Sequence, residues 1–242
     1  MNYIYYTFLA GWCADAAGAR LEFRKRRFTE IEANEALHMT GLNTSGINIG
    51  QITDDSEMEI CLMNALIKCR NDEYFPLDAI ANEYIQWYNS EPFDVGQTIT
   101  FSIIGGAKNA SDMLTNAYEY NIDSESNGSL MRCIPLAIFG INKDQDTIMS
   151  IAKLESELTH PNKIVGEITG IYCVIISHIL YRKINNYDIN MNTIIMLVFK
   201  LITNHTILEW FYIGSKLTNL EEYDSIKNEG HVKHAFIFVI YF

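Results

Sequence analysis

No proline-, glycine- or serine-rich stretch divides this sequence, and its 4 prolines are scattered over 242 residues. A flexible interdomain linker needs such a stretch, so a single domain over residues 1–242 is the expectation. Basic residues are scarce as well: 18 Lys and Arg stand against 30 Asp and Glu, a net charge of −12. Nucleic-acid binding needs a basic face, and this balance argues against it. The short run Arg24-Lys25-Arg26-Arg27 reads as a solvated loop or a local anion contact, not a targeting signal. There is no Cys-x-x-Cys pair among the 5 cysteines, Cys13, Cys61, Cys69, Cys133 and Cys173. Four of them fall in apolar periodic stretches and read as buried free thiols. No basic segment precedes the apolar start, and Asp15 interrupts it, so no secretory signal is read there. A reducing, cytoplasmic compartment is the resulting expectation. The apolar run 168–180 is too short to cross a bilayer and is expected to be a buried helix, with no membrane partner. Strict apolar–polar alternation is also rare, which leaves little for strands.

What remains is helical periodicity. Hydrophobic residues make up 48% of the chain, enough for a sizeable core. Residues 3–19 carry small and apolar side chains suited to close helix packing. Met58, Cys61, Leu62, Ala65, Leu66 and Cys69 recur at spacings of three and four, the stripe of a helix from Asp55 to about Cys69. Leu77, Ile80, Tyr84, Trp87 and Tyr88 mark another, stopped near Pro92. Similar patterns cover roughly 98–107, 111–121, 144–158, 162–182 and 190–203. Residues 24–50 read as loop, closing on Gly41, Asn43, Ser45, Gly46 and Gly50. The fold class expected is all-α, compact and single-domain.

Thr53-Asp54-Asp55 stands where the 58–69 stripe begins. Thr or Asp before such a stripe caps a helix, and acidic residues suit its first turn. The same three oxygen-bearing side chains could instead point into a cleft and hold Mg²⁺ or Mn²⁺, which prefer oxygen ligands. Other segments carry chemistry-bearing residues. Upstream is Gly11-Trp12-Cys13-Ala14-Asp15-Ala16-Ala17-Gly18-Ala19-Arg20-Leu21-Glu22. Downstream come Asp94-Val95-Gly96-Gln97-Thr98, Asn127-Gly128-Ser129-Leu130-Met131-Arg132 and Thr159-His160-Pro161. Taken singly, Glu22 is a surface carboxylate at a helix end, Asp94 with Gly96 a turn, and His160 a capping or buried residue. The 127–132 segment is expected to open a helix, where free N–H groups can receive an anion. Arg132 could contact a phosphate or pair internally, and Met131 suits a core. His231 and His234, three apart, are taken as structural.

In order and together, these motifs resemble the ADP-ribosylglycohydrolase family, including the dinitrogenase reductase-activating glycohydrolases. The resemblance runs from about Leu9 to the final residues. It implies an all-α hydrolase that removes ADP-ribose from modified protein, with the arginine N-glycosidic linkage favoured over serine. Its partners would be ADP-ribosylated protein or free ADP-ribose. The resemblance places Thr53, Asp54, Asp55 and Glu22 at a metal site, and Asp94 and Glu22 beside the scissile bond. It places Gly96, Asn127, Gly128, Ser129, Met131, Arg132 and His160 around ADP-ribose. One family motif, a late Asp-x-Asp-Thr, is not found. Residues 230–239 resemble the helix before it, and the sequence stops at Phe242. The expectation is therefore one ion rather than two and an impaired turnover, with a non-catalytic ADP-ribose-binding module as the alternative.

Overall fold

The computed structural model describes residues 2–22, 26–40, 47–220, 223, 228 and 230–241. Among them the helices run in the order α1 (Tyr3–Gly18), α2 (Glu30–Leu37), α3 (Asp54–Lys68), α4 (Leu77–Asn89), α5 (Gln97–Ile103) and α6 (Ala110–Tyr120). They continue with α7 (Ile134–Phe139), α8 (Gln145–Glu157), α9 (Lys163–Ile184), α10 (Met191–Leu201), α11 (His205–Lys216) and α12 (Val232–Tyr241). No strand forms among the described residues; a single bridge joins Ser126 and His231. The all-α expectation holds.

Asparagine does much of the capping. Asn2, Asn109, Asn162, Asn190 and Asn204 each accept a backbone N–H at the start of α1, α6, α9, α10 and α11. Such caps satisfy donors that a helix start leaves unpaired. One cap overturns an expectation. Residues 24–50 are not all loop, because Thr29 and Glu32 form a reciprocal capping box that starts α2. The basic run is engaged there too: Arg26 grips Glu32 through both terminal nitrogens, at 2.9 and 2.7 Å. Arg24, Lys25, Gly41, Asn43, Ser45 and Gly46 lie outside the described residues. A second correction concerns 127–132. This segment is a series of turns, and the helix opens only at Ile134, where Pro135 suits the first turn. A third is α11, a helix that the periodicity reading left out.

The α3 stripe buries Met58, Leu62, Ala65 and Leu66 against α4, which contributes Ile80, Ala81, Tyr84 and Trp87. Each large side chain buried there contributes roughly 1.5–3 kcal/mol. Cys61 and Cys69 sit at the edge of this stripe, and only Cys133 and Cys173 are fully buried thiols. The long α9 is the axis of the fold, packing on α1, α7, α8, α10 and α12. By length and composition it could cross a membrane, but 67% of its apolar window is buried among the other helices. Glu167 on α9 receives the N–H groups of Thr203 and Asn204, which ties the α10–α11 link to that axis. At Gly214 α11 and α12 come so close that a Cβ would lie 2.8 Å from Ile240 Cβ.

Candidate functional site

The start of α3, the α4–α5 link and the turns at 127–132 converge on a cleft of about 680 Å³. One wall is acidic: Glu22, Asp54, Asp55 and Asp94 all line it. Asp54 and Asp55 are there because Thr53 caps α3, leaving the next two side chains at its open end. Gly96 N–H donates to Asp54 Oδ2 at 3.3 Å, which draws the 94–96 turn against the helix start. The rest of the lining includes Gly96, Asn127, Gly128, Met131 and His160.

The carboxylates share one neighbourhood, with no Lys or Arg side chain among the described residues of the lining, and their acidities show it. Burial first, then Asp94, raises Asp54 to about 6. Burial first, then Asp54, Asp15, Glu22 and Asp94 in turn, raises Asp55 to about 8. Burial also pushes Asp94 up. Such shifts have a sign for stability. A carboxyl raised from 3.8 in the folded state stabilises the fold below that value and loses the contribution as pH rises through about 6 and 8. A tenfold change in acidity between the folded and unfolded states corresponds to about 1.4 kcal/mol. Buried His160, held well below 6.5, gives the opposite slope at lower pH. The metal-free protein should therefore lose about 1–2 kcal/mol of stability between pH 6.5 and pH 8, where Asp55 is the chief of these groups still titrating. Thermal melts across that range should show the slope, and Asp55→Asn should flatten it and stabilise the protein at pH 8. A parent whose melting temperature is flat from pH 6.5 to pH 8 contradicts this account.

Three of the proposed positions lie behind the lining. Thr53 is buried, and its hydroxyl and N–H both donate to Asp15, at 2.8 and 3.0 Å. Its side chain serves the α3 cap. Ser129 is buried between Ser156 and Thr169. Arg132 is fully buried as well: Nε donates to Glu155 at 2.7 Å, and Nη1 and Nη2 donate to Gly128 O and Thr159 Oγ1. Its guanidinium lies 4.6 Å from the Tyr84 ring centre. Of the two roles open for Arg132, the internal ion pair is what the fold contains, and the buried side chain is not among the lining residues of the cleft. The side chains of Thr53, Ser129 and Arg132 thus shape the cleft from behind.

Asp15 is the residue that sequence reasoning missed. From α1 it accepts from Thr53 and from the N–H and hydroxyl of Ser56, acting as a second cap for α3. Its one signal was being the sole charged residue of α1. Ser126 and Thr98 also join the lining. His231 pairs with Glu125 at 3.1 Å and His234 meets the Tyr223 hydroxyl at 2.7 Å, consistent with structural roles.

A hard divalent cation suits the donors in kind, since Asp54, Asp55 and Glu22 offer only oxygens and positive charge would relieve their repulsion. Among the described residues, however, no three His, Cys, Asp or Glu side chains are gathered closely enough to hold an ion as they stand.

Residues 4–241 match the family model described as ADP-ribosylglycohydrolase. A protein of Acanthamoeba polyphaga mimivirus that carries an ADP-ribosyl glycohydrolase name is 30% identical over 179 residues, 70% of this chain and 53% of its own length. The ADP-ribosyl-[dinitrogen reductase] glycohydrolase of Rhodospirillum rubrum is 31% identical over 141 residues, 57% of this chain and 45% of its own. An ADP-ribosylarginine hydrolase of Pseudomonas putida (strain GB-1) is 27% identical over 132 residues, 52% of this chain and 33% of its own. The chain thus spans about half or less of the curated relatives it matches. Its fold is similar to that of a solved ADP-ribosylglycohydrolase-related protein complex, with a TM-score of 0.68 at 19% identity, over 97% of this chain and 72% of that one.

Proposed function

Because this chain belongs to the ADP-ribosylglycohydrolase family, we propose that it hydrolyses the bond between ADP-ribose and a modified protein side chain, with arginine as the favoured linkage. The observation that carries this reading is the cleft itself, whose lining brings Glu22, Asp54, Asp55 and Asp94 together with Asn127, Gly128 and His160. Hydrolysis breaks the bond from the ribose anomeric carbon to nitrogen. Water supplies the oxygen of the new C–O bond and keeps one proton in the new hydroxyl. Its other proton passes to a carboxylate, which delivers it to the departing guanidine nitrogen, so that the carboxylate ends as it began. Asp94 and Glu22 are the pair for this work, one to take the proton and one to stabilise oxocarbenium-like charge. A carboxylate also matches a guanidinium leaving group by a forked charge-assisted contact. The arginine preference is further supported by the name of the Pseudomonas relative.

Mg²⁺ or Mn²⁺ is the cofactor in this proposal, with the Asp54, Asp55 and Glu22 carboxylates as its holders and Thr53 positioning them from the cap. When bound, it supplies positive charge that polarises a ribose hydroxyl or water. These carboxylates provide oxygens for one ion, given that Mg²⁺ takes about six ligands in all. Calorimetric titration should show at most one site, lost in the Asp54→Ala, Asp55→Ala double variant. Two tight sites, or a site surviving that variant, would sink the assignment.

The function is tested by incubating the chain with Mg²⁺ and peptides ADP-ribosylated on arginine or on serine, and following free ADP-ribose by chromatography. Release from the arginine peptide supports the proposal, and release from serine alone overturns the linkage. Binding of ADP-ribose without any release supports the second reading, a non-catalytic ADP-ribose-binding module. That no three His, Cys, Asp or Glu side chains among the described residues stand close enough to hold an ion is the observation that favours that second reading.

A further inference from the structure

From behind the cleft to its lining runs a line of hydrogen bonds that the proposed reaction does not use. It begins at the buried Arg132, whose Nη2 donates to Thr159 Oγ1 at 2.8 Å. Thr159 Oγ1 lies 2.7 Å from His160 Nδ1, and His160 Nε2 lies 2.8 Å from Ser126 Oγ. Ser126 is on the cleft lining, beside Thr98 at 3.2 Å between hydroxyl oxygens. Gly128 leaves the ring its place, because a Cβ there would stand 2.7 Å from His160 Cε1 and 2.9 Å from Nε2. The imidazole is thus confined between a glycine on one side and Thr159 on the other.

Counting protons sets the direction of the line. Arginine only donates, so Arg132 takes a lone pair of Thr159 and leaves its one hydroxyl proton to be placed. The remaining hydrogen-bond partner of that hydroxyl is His160 Nδ1. Burial, and then the charge of Arg132, hold His160 well below its usual range, so the ring is neutral and carries one N–H. Were that N–H on Nδ1, the Thr159 proton would be stranded in a buried site, which costs about 1–3 kcal/mol. With the N–H on Nε2, Thr159 donates to Nδ1 and Nε2 donates to Ser126. Ser126 Oγ also accepts from Ser124 Oγ at 3.3 Å, so its own proton is left to donate, to Thr98 Oγ1 at 3.2 Å or to a ligand oxygen that displaces that long contact.

We propose that Thr159 and His160 are positioning residues that hold the Ser126 hydroxyl as a hydrogen-bond donor toward the cleft, for an acceptor oxygen of the ribose–diphosphate part of the ligand. The ligand half of this proposal rests on the reading of the cleft as an ADP-ribose site; the tautomer half stands without it. The described residues of the lining include no Lys or Arg, so a donor to an electron-rich ligand oxygen there has to come from a neutral group such as this hydroxyl.

Histidine ¹⁵N NMR on the full chain, without ligand, tests the first half. His160 should show an unprotonated Nδ1 and a protonated Nε2. Thr159→Val should mix the tautomers, and Thr159→Ser should restore the parent pattern. Calorimetry tests the second half. Ser126→Ala should weaken ADP-ribose binding about tenfold, the worth of one hydrogen bond, without altering the His160 tautomer. ADP serves as the second arm: equal weakening for ADP and ADP-ribose places the acceptor on the diphosphate, and weakening for ADP-ribose alone places it on the distal ribose. A parent His160 protonated at Nδ1 overturns the proposal, and so does a Ser126→Ala variant with unchanged affinity for both ligands. A parent that binds neither ligand overturns the cleft reading and the ligand half with it, while the parent spectrum still decides the tautomer half. If Thr159→Val does not fold, the parent spectrum and Ser126→Ala decide.

Discussion

Arg132→Ala should cost about 3–5 kcal/mol of stability, because it removes one partner of a buried ion pair and leaves the other charge uncompensated. The partner is Glu155, with no exposed surface, whose Oε1 takes both the Arg132 Nε–H at 2.7 Å and the Tyr84 hydroxyl at 2.6 Å. Its Oε2 has no hydrogen-bond partner, so once Arg132 is gone the Tyr84 hydroxyl is the one donor left to this carboxylate among the described residues. The same substitution frees Gly128 O and Thr159 Oγ1, and so loosens the turns that line the cleft. Lysine should not rescue it, since the three N–H groups of an ammonium diverge from one atom and cannot span the separate positions from which Nε, Nη1 and Nη2 reach Glu155, Gly128 O and Thr159. Urea denaturation measures the loss. A companion variant, Arg132→Met with Glu155→Leu, should lose less than the sum of the two single changes, because it removes the pair rather than orphaning one member. An Arg132→Ala protein of parental stability but poor ADP-ribose affinity would show that the guanidinium serves the ligand after all.

Asp94→Asn should lower turnover on an arginine-linked substrate by about 10²–10³, the usual cost of losing one well-placed electrostatic contact in a transition state. The change is nearly isosteric, and Asp94 is half-buried on the cleft lining between α4 and α5. ADP-ribose affinity should change much less, because the proposed role is exercised on the reacting bond. A second readout separates this role from a structural one. Asp94 is the charge that contributes most, after burial, to raising Asp54. Removing it should bring Asp54 down toward its ordinary range and leave stability at pH 8 unchanged or higher. Steady-state kinetics, calorimetry and melts on one preparation give all of these. Undiminished turnover in Asp94→Asn would assign the chemistry to other residues.

These two residues also mark the limit of what could be read without a fold. Arg132 and Asp94 were both candidates by their place in short motifs, yet one lies behind the cleft and the other on it. Helix starts and stripes were legible because their signals act over three or four residues. The spacing of Met58, Leu62, Ala65 and Leu66, and Thr53 ahead of them, determine α3 with no help from the rest of the chain. The α2 capping box was as local, and was overlooked because the glycines and asparagine that follow it dominate that stretch. The candidate positions Glu22, Asp54, Asp55, Asp94, Gly96, Asn127, Gly128, Met131 and His160 do meet in one cleft. Their identity was in the sequence, while their meeting depends on packing. Asp15 reaches Thr53 across 38 positions and Arg132 reaches Glu155 across 23, distances over which no periodicity or cap carries information. Which polar groups end up buried as partners and which face the cleft is a matter of where α1, α3, α8 and the 127–132 turns come to rest against one another. That choice is made by desolvation, which forces each buried donor and charge to find its partner inside the folded protein.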